Sequence, residues 1–204
     1  MCAPPLRGLL APGYSDDADD TTVLNTRAIN LVIGNNATAV DAAAKEAERL
    51  GYSTAASSAK HPEGPAEEIG CQMAESALEM RARERPTCLV SGGEPVVKLV
   101  EASRRGLGGR NQQLVLAALV RLLEHGADGI ALLSGGTDGE DGPTDAAGAV
   151  LDAGVLAAVR QQGLDPADYL ARNDAYHFFD PLGGLIRTGP THTNVCDLRV
   201  VACG

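Results

Sequence analysis

The sequence predicts an α/β fold in which helices flank a parallel or mixed β-sheet. Short apolar runs alternate along the chain with longer, Ala-rich helical stretches, which is typical of βαβ units with helices on both faces of a sheet. Two of the apolar runs lead into the same Ser-Gly-Gly sequence, at residues 91–93 and 134–136. With 204 residues, of which 44% are hydrophobic, the chain is long and apolar enough to build a globular core.

Compact apolar runs bounded by glycine, proline or polar residues predict the strands. The predicted strands comprise residues 29–33, 52–56, 87–90, 130–133 and 198–202. The stretches between them predict helices at residues 37–50, 66–83, 113–124, 152–162, 165–173 and 175–179. Gly51 and Gly126 follow the first and third helices, and Pro166 stands in the first turn of the fifth. Residues 1–26, which are Pro-rich and acidic, predict a loosely ordered lead-in or the stump of a preceding segment.

Composition excludes several classes of partner. The chain carries 27 acidic and 17 basic residues, for a net charge of −10, and no basic stripe, so we expect no nucleic-acid partner. Because no apolar run reaches the ~20 residues that span a bilayer, we also expect no membrane partner. The five cysteines are scattered and form no CxxC pair, which favours a reduced, cytoplasmic protein.

An acidic, glycine-spaced loop follows the predicted strand 130–133. Glycines at 136, 139 and 142 let the backbone approach a ligand, and carboxylates at the end of a strand lie where open α/β sheets bind ligands. Asp138 and Asp141 are the favoured candidates for a metal site, ahead of Glu140 and Asp145. The alternative is an acidic surface turn without a ligand.

A second glycine-rich loop, at residues 106–109, precedes Arg110 and a nearly all-apolar helix. Such a loop at a helix N-terminus offers unpaired backbone N–H groups and the positive end of the helix dipole. Arg110 adds a planar group suited to two hydrogen bonds with a phosphate or a carboxylate. This is the local positive site that an acidic protein needs for an anionic ligand, although a solvated Arg on a turn would look the same.

The two Ser-Gly-Gly sequences suggest a single crevice. Each is followed by an acidic residue, Glu94 in one case and Asp138 in the other, and we expect their strands to be adjacent in the sheet. Thr193 and Asn194, in the polar turn before the last strand, are candidates to line the same crevice. The alternatives are that Ser-Gly-Gly simply ends strands, and that ordinary turn chemistry explains the last two residues.

Several catalytic signatures are absent from the sequence. It contains no GxxxxGK[ST], GxSxG or HExxH motif, and no GxGxxG opens a helix directly after a strand. The four histidines are too dispersed to suggest a metal cluster.

Four longer motifs resemble the glycerate 2-kinase family, for which older naming is hydroxypyruvate reductase. They are GGRNQ at 108–112, SGGTDGEDGPTDAAGA at 134–149, NDAYHFF at 173–179 and TGPTHTNVCDLR at 188–199. The match is to the C-terminal MOFRL domain, while residues 34–52 resemble the tail of the preceding, Rossmann-like domain. The resemblance implies a lead-in at 1–26, the end of the N-terminal kinase domain at 27–85 and the MOFRL domain at 86–204.

The resemblance also implies an activity, with ATP and Mg²⁺ as cofactors. The γ-phosphoryl group of ATP would pass to a hydroxyl of D-glycerate or a related hydroxy acid. Arg110 would clamp the substrate carboxylate or the transferring phosphoryl group, and Asp138 and Asp141 would hold Mg²⁺ or orient the hydroxyl. The remaining pocket residues implied in this way are Glu94, Gly108, Gly109, Asn111, Thr193 and Asn194.

The chain departs from the family in length. Family members carry an N-terminal domain with a catalytic lysine, and nothing in residues 1–26 resembles it. We therefore expect the C-terminal part of such a kinase, inactive without an N-terminal half that could be separately encoded, and with exposed apolar surface that could form a homodimer. The alternatives are a non-catalytic nucleotide- or sugar-acid-binding domain and an NAD(P)H-dependent hydroxypyruvate reductase, against which the missing dinucleotide motif counts.

Overall fold

The computed structural model describes residues 31–59, 61–84 and 86–204. The helices are α1 (Asn36–Arg49), α2 (Ala66–Arg81), α3 (Arg110–Leu123), α4 (Ala153–Gln162), α5 (Pro166–Ala171) and α6 (Ala175–Phe179), with a 3-10 turn at Asp180–Leu182. The strands are β1 (Ser53–Ser58), β2 (Thr87–Gly93), β3 (Ile130–Gly136), β4 (Gly148–Leu151), β5 (Leu185–Ile186) and β6 (Asp197–Cys203). In the described part of the chain, no helix has the length and apolar character needed to cross a membrane.

The strands form one mixed sheet in the order β1-β2-β6-β3-β4-β5. The strands β1 and β2 are parallel, whereas β6 is antiparallel to both β2 and β3, so β1, β2 and β3 run in the same direction. The prediction of an α/β fold with a mixed sheet is confirmed. The expectation that the two Ser-Gly-Gly strands are adjacent is wrong, because β6 inserts between them. Their carboxyl ends nevertheless lie at the same edge, on either side of Asp197.

Helix α1 covers one face of the sheet. Its buried residues Val40, Ala44 and Ala47 recur at helical spacing and belong to one cluster with Cys88 and Val90 of β2. The Asn35 side chain accepts a hydrogen bond from the backbone N–H of Thr38, which begins the helix with a capping box. This places Asn36, the first helical residue, at the edge where β6 begins, and its Nδ2 donates to the backbone oxygens of Val195 and Asp197.

The opposite face carries the main core. Helix α3 packs here together with α2, and most of its side chains are buried, as its apolar sequence predicts. The two phenylalanines are fully buried in the same core, where their rings contact each other edge to face with centroids 5.1 Å apart. Helices therefore lie on both faces of the sheet.

Some predicted elements differ from the structure. Ile29 and Asn30 lie outside the described residues, as does all of the lead-in 1–26, and residues 31–33 belong to no strand. The side chains of Leu31, Val32 and Ile33 are exposed, so no strand or core within the described ranges buries them. Strands β4 and β5 were not predicted, because each is too short for a distinct alternation. Residues 33–204 form one unit, in which β1 and α2 share the sheet and core of the later elements, and the division at 85/86 stays a prediction.

Candidate functional site

Three parallel strands end beside a large cavity. The carboxyl ends of β1, β2 and β3 and the start of β6 lie at one edge of the sheet, where open α/β folds bind ligands. A cavity of about 1080 Å³ opens at this edge. The residues that line it come from the β1–α2 loop (Ala59, His61, Pro62), the β2–α3 segment (Gly93–Val97, Leu99, Arg105, Gly106, Gly108, Gly109), α3 (Arg110, Gln113), and elsewhere (Asn36, Gly142, Pro143, Asn173, Cys196).

Arg110 lies in this cavity and is held by a buried carboxylate. Its Nε donates to Asp197 Oδ2 at 2.7 Å and its Nη2 donates to Asp197 Oδ1 at 2.9 Å. Its Nη1 lies 3.2 Å from Glu94 Oε1. The Asp197 side chain is 0% exposed, whereas that of Glu94 is 59% exposed. The hydrogen bonds with Asp197 raise the pKa of Arg110 above its ordinary value, so the guanidinium stays charged.

The N-terminus of α3 is not free, contrary to the sequence-based expectation. Asp141 Oδ1 accepts a hydrogen bond from the backbone N–H of Asn111 at 3.0 Å, and its Oδ2 accepts one from the backbone N–H of Gln112 at 2.9 Å. Gly109, at the N-cap position, has no side chain for this purpose, so a distant carboxylate caps the helix. Burial raises the pKa of Asp141, although these hydrogen bonds act in the opposite direction.

The glycine loop and the acidic loop pack directly against each other. A Cβ on Gly109 would lie 2.3 Å from Cγ of Asp141, closer than any side chain can approach. Gly142, at φ 63°, would bring a Cβ to 2.9 Å from the backbone oxygen of Gly108. The two loops, which are separate in the sequence, therefore pack against each other in the fold. Gly108 and Gly109 lie at this contact and line the cavity.

Asn111 is buried below the cavity rather than exposed in it. Its Nδ2 donates to Asp141 Oδ1 at 3.2 Å, and its Oδ1 accepts a hydrogen bond from the Ser134 hydroxyl. Ser134 belongs to β3, so Asn111 links the start of α3 to the sheet. Its predicted role as a binding residue stays a prediction, and its observed contacts position its neighbour Arg110.

Asp138, Thr193 and Asn194 lie together in a neighbouring pair of loops. Asp138 Oδ1 accepts from the backbone N–H of Glu140 at 3.1 Å, and its Oδ2 accepts from Asn194 Nδ2 at 3.1 Å. The backbone N–H of Thr193 donates to the Thr191 hydroxyl at 3.4 Å. None of these three residues is among the residues that line the cavity. In the described ranges, no three His, Cys, Asp or Glu side chains come together as metal ligands.

Asp174 anchors the glycine loop from below. This buried carboxylate accepts hydrogen bonds from the backbone N–H of Leu107 at 2.9 Å and from Nδ1 of His177 at 2.6 Å, and it pairs with Nη1 of Arg172 at 2.7 Å. Its neighbour Asn173 lines the cavity and accepts from the backbone N–H of Val100 at 2.8 Å. The Asn-Asp sequence at 173–174 therefore holds both ends of the segment that leads to Arg110.

Sequence reasoning missed the charged residues of β6. Asp197 and Arg199 alternate with Leu198 and lie on the buried face of the strand towards α3. The Arg199 guanidinium pairs with Glu63 of the β1–α2 loop, beneath Gly93. The alternation of charged and apolar residues in this strand could have identified them. Two charged residues on the core side of a central strand need buried partners, which predicts ion pairs at this position.

Comparison with known proteins shows the family to which the chain belongs. The profile of the MOFRL family matches residues 87–197. D-glycerate 2-kinase of Thermotoga maritima is 43% identical over 132 residues, which cover 65% of this chain and 30% of that protein. Glycerate kinase of Macaca fascicularis is 36% identical over 218 residues, which cover 85% of this chain and 54% of that protein. The chain thus spans only part of the length of these curated relatives.

Solved structures agree with the sequence comparisons. The crystal structure of glycerate kinase from Thermotoga maritima superposes with a TM-score of 0.75 at 37% identity, covering 84% of this chain and 41% of that one. A Pyrococcus horikoshii protein of known structure superposes with a TM-score of 0.75 at 30% identity, covering 97% of this chain and 43% of that one. The resemblance drawn from the four motifs is thereby confirmed: the chain belongs to the MOFRL family, and its relatives there include glycerate kinases.

Proposed function

We propose that this chain is the C-terminal part of a glycerate 2-kinase, which transfers the γ-phosphoryl group of ATP to a hydroxyl of D-glycerate with the help of Mg²⁺. The observation that carries the proposal is the position of Arg110, which a buried carboxylate holds in a cavity at the ends of three parallel strands. Glycerate kinases among the relatives of this chain support the choice of reaction.

Arg110 is suited to both anionic groups of such a reaction. In the transfer, the bond from the γ-phosphorus to the bridging oxygen of ATP breaks and a bond to the glycerate hydroxyl oxygen forms. Catalysis of this step depends mainly on positioning and on neutralising charge, which a guanidinium provides through N–H donors of fixed geometry. Arg110 would donate hydrogen bonds either to the glycerate carboxylate or to the transferring phosphoryl group.

The cavity also has an apolar wall. Pro95, Val96, Val97 and Leu99 line it, and Val96 and Leu99 are more than half exposed. An apolar surface of this kind suits the flat face of a nucleotide base, while the phosphates extend towards Arg110. The cavity volume of about 1080 Å³ leaves room for a nucleotide and a small acid together.

The carboxylates near the cavity determine whether the site can bind Mg²⁺. When bound, the cation would offset negative charge on the ATP phosphates. Asp141 fits this role poorly, since it is buried and its oxygens accept hydrogen bonds from the start of α3. Glu94 fits better, because it lines the cavity and is largely exposed. The sequence-based assignment of Mg²⁺ to Asp138 and Asp141 stays a prediction.

The two alternative functions make different demands on the same cavity. A hydroxypyruvate reductase would need a dinucleotide site, typically a glycine turn between a strand and a helix. Here residues 94–109 separate β2 from α3, so the glycine loop does not follow a strand directly. A non-catalytic binding domain would keep the cavity and bind D-glycerate or nucleotide without turnover. We expect turnover to require the region of the relatives that this chain does not cover.

A coupled assay of ADP release with ATP, D-glycerate and Mg²⁺ tests the proposal. The chain is assayed alone and with the N-terminal half of a glycerate kinase relative, as wild type, Arg110→Ala and Arg110→Lys. Arg160→Ala, which removes an exposed Arg remote from the cavity lining, is the matched control. We expect turnover with the added half, its loss in both Arg110 variants and its retention in the control.

Other outcomes separate the alternatives. Binding of D-glycerate by calorimetry without ADP release in either condition would favour the binding domain, and NADH oxidation with hydroxypyruvate would favour the reductase. A folded chain with neither binding nor turnover would refute the proposal. A cytoplasmic location and a homodimer stay predictions from the sequence.

A further inference from the structure

Glu94 occupies the outward-facing side of Arg110. The Nε and Nη2 groups of Arg110 both donate to Asp197, which leaves Nη1 as the group that faces Glu94. The Nη1–Oε1 distance of 3.2 Å is longer than either hydrogen bond to Asp197. Since the Glu94 side chain is 59% exposed and that of Asp197 is 0% exposed, the two carboxylates hold Arg110 very unequally.

Glu94 is more exposed to an incoming anionic ligand than Arg110 is. A phosphate or carboxylate would bind at the Nη1 end of the guanidinium, which Glu94 faces, because Nε and one N–H of Nη2 already donate to the buried Asp197. A charged pair with this exposure is weak, so Glu94 can be displaced. Displacement alone does not remove its charge, however, and a second anion would still lie beside a carboxylate.

The charged groups around Arg110 disfavour the binding of a free anion. The two carboxylates of Glu94 and Asp197 face a single guanidinium, so the three groups together carry a net negative charge. Glu94 is the one carboxylate among the described residues that line the cavity. A divalent cation next to Glu94 would offset this charge and would itself contact the ligand anion, as Mg²⁺ does when it joins a carboxylate to a phosphate.

We propose that Glu94 makes anion binding at Arg110 depend on a divalent cation. Glu94 competes with a free anion for Nη1 of Arg110. It favours an anion that binds together with a divalent cation, which lies between the Glu94 carboxylate and the anion. This inference concerns the site of the proposed function, and it assigns Glu94 the part of a specificity-determining residue. It is a statement about binding, so it can be tested apart from phosphoryl transfer.

Calorimetric titration with inorganic phosphate and, separately, with D-glycerate tests the inference. Wild type, Glu94→Gln and Glu140→Gln are titrated with and without Mg²⁺. Glu140 is exposed and outside the cavity lining, so its variant controls for the loss of one negative charge. Association of Mg²⁺ with the ligand in solution is the same for all three proteins, and differences between them therefore report on the side chain.

We expect Glu94→Gln to bind at least one of the two anions about 3-fold more tightly than wild type without Mg²⁺, as the loss of an exposed competing pair implies. Mg²⁺ should tighten binding to wild type and to Glu140→Gln, and this gain should be largely lost in Glu94→Gln. The anion that shows the pattern identifies the group that Arg110 receives.

The inference is overturned if Glu94→Gln binds both anions no more tightly than wild type, or if Mg²⁺ improves all three proteins equally. It is equally overturned if no variant binds either anion while circular dichroism shows the fold to be intact. Turnover does not enter these titrations. A chain that shows the Glu94 effect but gives no turnover with the added N-terminal half would refute the kinase and not the inference. A chain that gives turnover with that half but lacks the Glu94 effect would do the reverse.

Discussion

Arg110 and Asp197 form a pair of parallel hydrogen bonds, at 2.7 and 2.9 Å, although 87 residues separate them in the chain. Asp197 is the first residue of β6, the strand that inserts between the two Ser-Gly-Gly strands. Arg110 is the first residue of α3. The pair therefore joins the start of a core helix to the centre of the sheet edge, and it aims the remaining N–H groups of the guanidinium at the cavity.

Removing either partner of this pair should have unequal effects on stability. Arg110→Ala leaves the Asp197 carboxylate buried without these two hydrogen bonds, and we expect the free energy of unfolding to fall by about 3 kcal/mol. Asp197→Asn leaves a partly exposed guanidinium that keeps Glu94, and we expect a loss of about 1–2 kcal/mol. Urea denaturation at pH 7 measures both. Equal losses would contradict the view that the buried carboxylate is the more demanding partner.

Asp141 should stabilise the protein as the cap of α3. Asp141→Ala removes the acceptor for the backbone N–H groups of Asn111 and Gln112 and for the Asn111 side chain, and we expect it to cost about 2 kcal/mol of stability. Asp145→Ala, in the same loop but exposed, serves as the control and should cost less than about 1 kcal/mol. Similar losses in the two variants would show that the cap contributes little.

The raised pKa of Asp141 predicts how its contribution varies with pH. Because the folded-state pKa lies above the ordinary value of 3.8, the folded protein binds this proton more tightly than the unfolded chain does. The resulting stability is fully present below pH 3.8 and is lost as the pH rises through the folded-state pKa. The free energy of unfolding of wild type, minus that of Asp141→Asn, should therefore be more positive at pH 4 than at pH 7. A difference that grows with pH would mean that the hydrogen bonds outweigh burial.

Asp174 should control the order of the glycine loop. In Asp174→Asn, we expect the amide hydrogen of Leu107 to exchange at least 10-fold faster, because the charged acceptor of its hydrogen bond is lost. Affinity for D-glycerate should fall as well, since the loop leads into Arg110. Asp168→Asn removes an exposed partner of the same Arg172 and should leave Leu107 unchanged. Unaltered exchange in Asp174→Asn would exclude this anchoring role.

Gly109 should tolerate no side chain. Its Cβ would lie 2.3 Å from Cγ of Asp141 and 2.4 Å from the backbone oxygen of that residue, so the two loops would have to separate. We expect Gly109→Ala to lower stability by about 3 kcal/mol and to weaken ligand binding. Gly34→Ala, where a Cβ meets nothing within 4 Å, is the matched control. If both variants unfold at the same urea concentration as wild type, the loop contact is not tight in solution.

Local sequence patterns predicted most of the secondary structure. Apolar runs identified β1, β2, β3 and β6, and the stretches between them identified the helices of the described residues to within a few residues. The two short strands β4 and β5 were missed because two to four residues carry no reliable alternation. The run at 29–33 was assigned as a strand on composition alone. Residues 31–33 belong to no strand in the described part of the chain, and Ile29 and Asn30 lie outside it.

The candidate site was predictable only in part. Glycine spacing and residue chemistry pointed to Arg110, Glu94, Gly108 and Gly109, and all four line the cavity. Chemistry alone could not tell that Asp141 is a helix cap, since its partners Asn111 and Gln112 lie about 30 residues earlier in the chain.

The sequence by itself determined the fold class, the family and the set of polar groups available at the strand ends, because periodicity and motif spacing are properties of neighbouring residues. Only the tertiary structure decided which of those groups meet. The insertion of β6 between β2 and β3 brings Asp197 to Arg110, and the packing of the acidic loop on the glycine loop brings Asp141 to α3. Such pairings form between residues that are distant in the sequence, so they depend on the packing of the whole core. A buried charged group needs a partner, and only the tertiary structure determines which residue is close enough to be that partner.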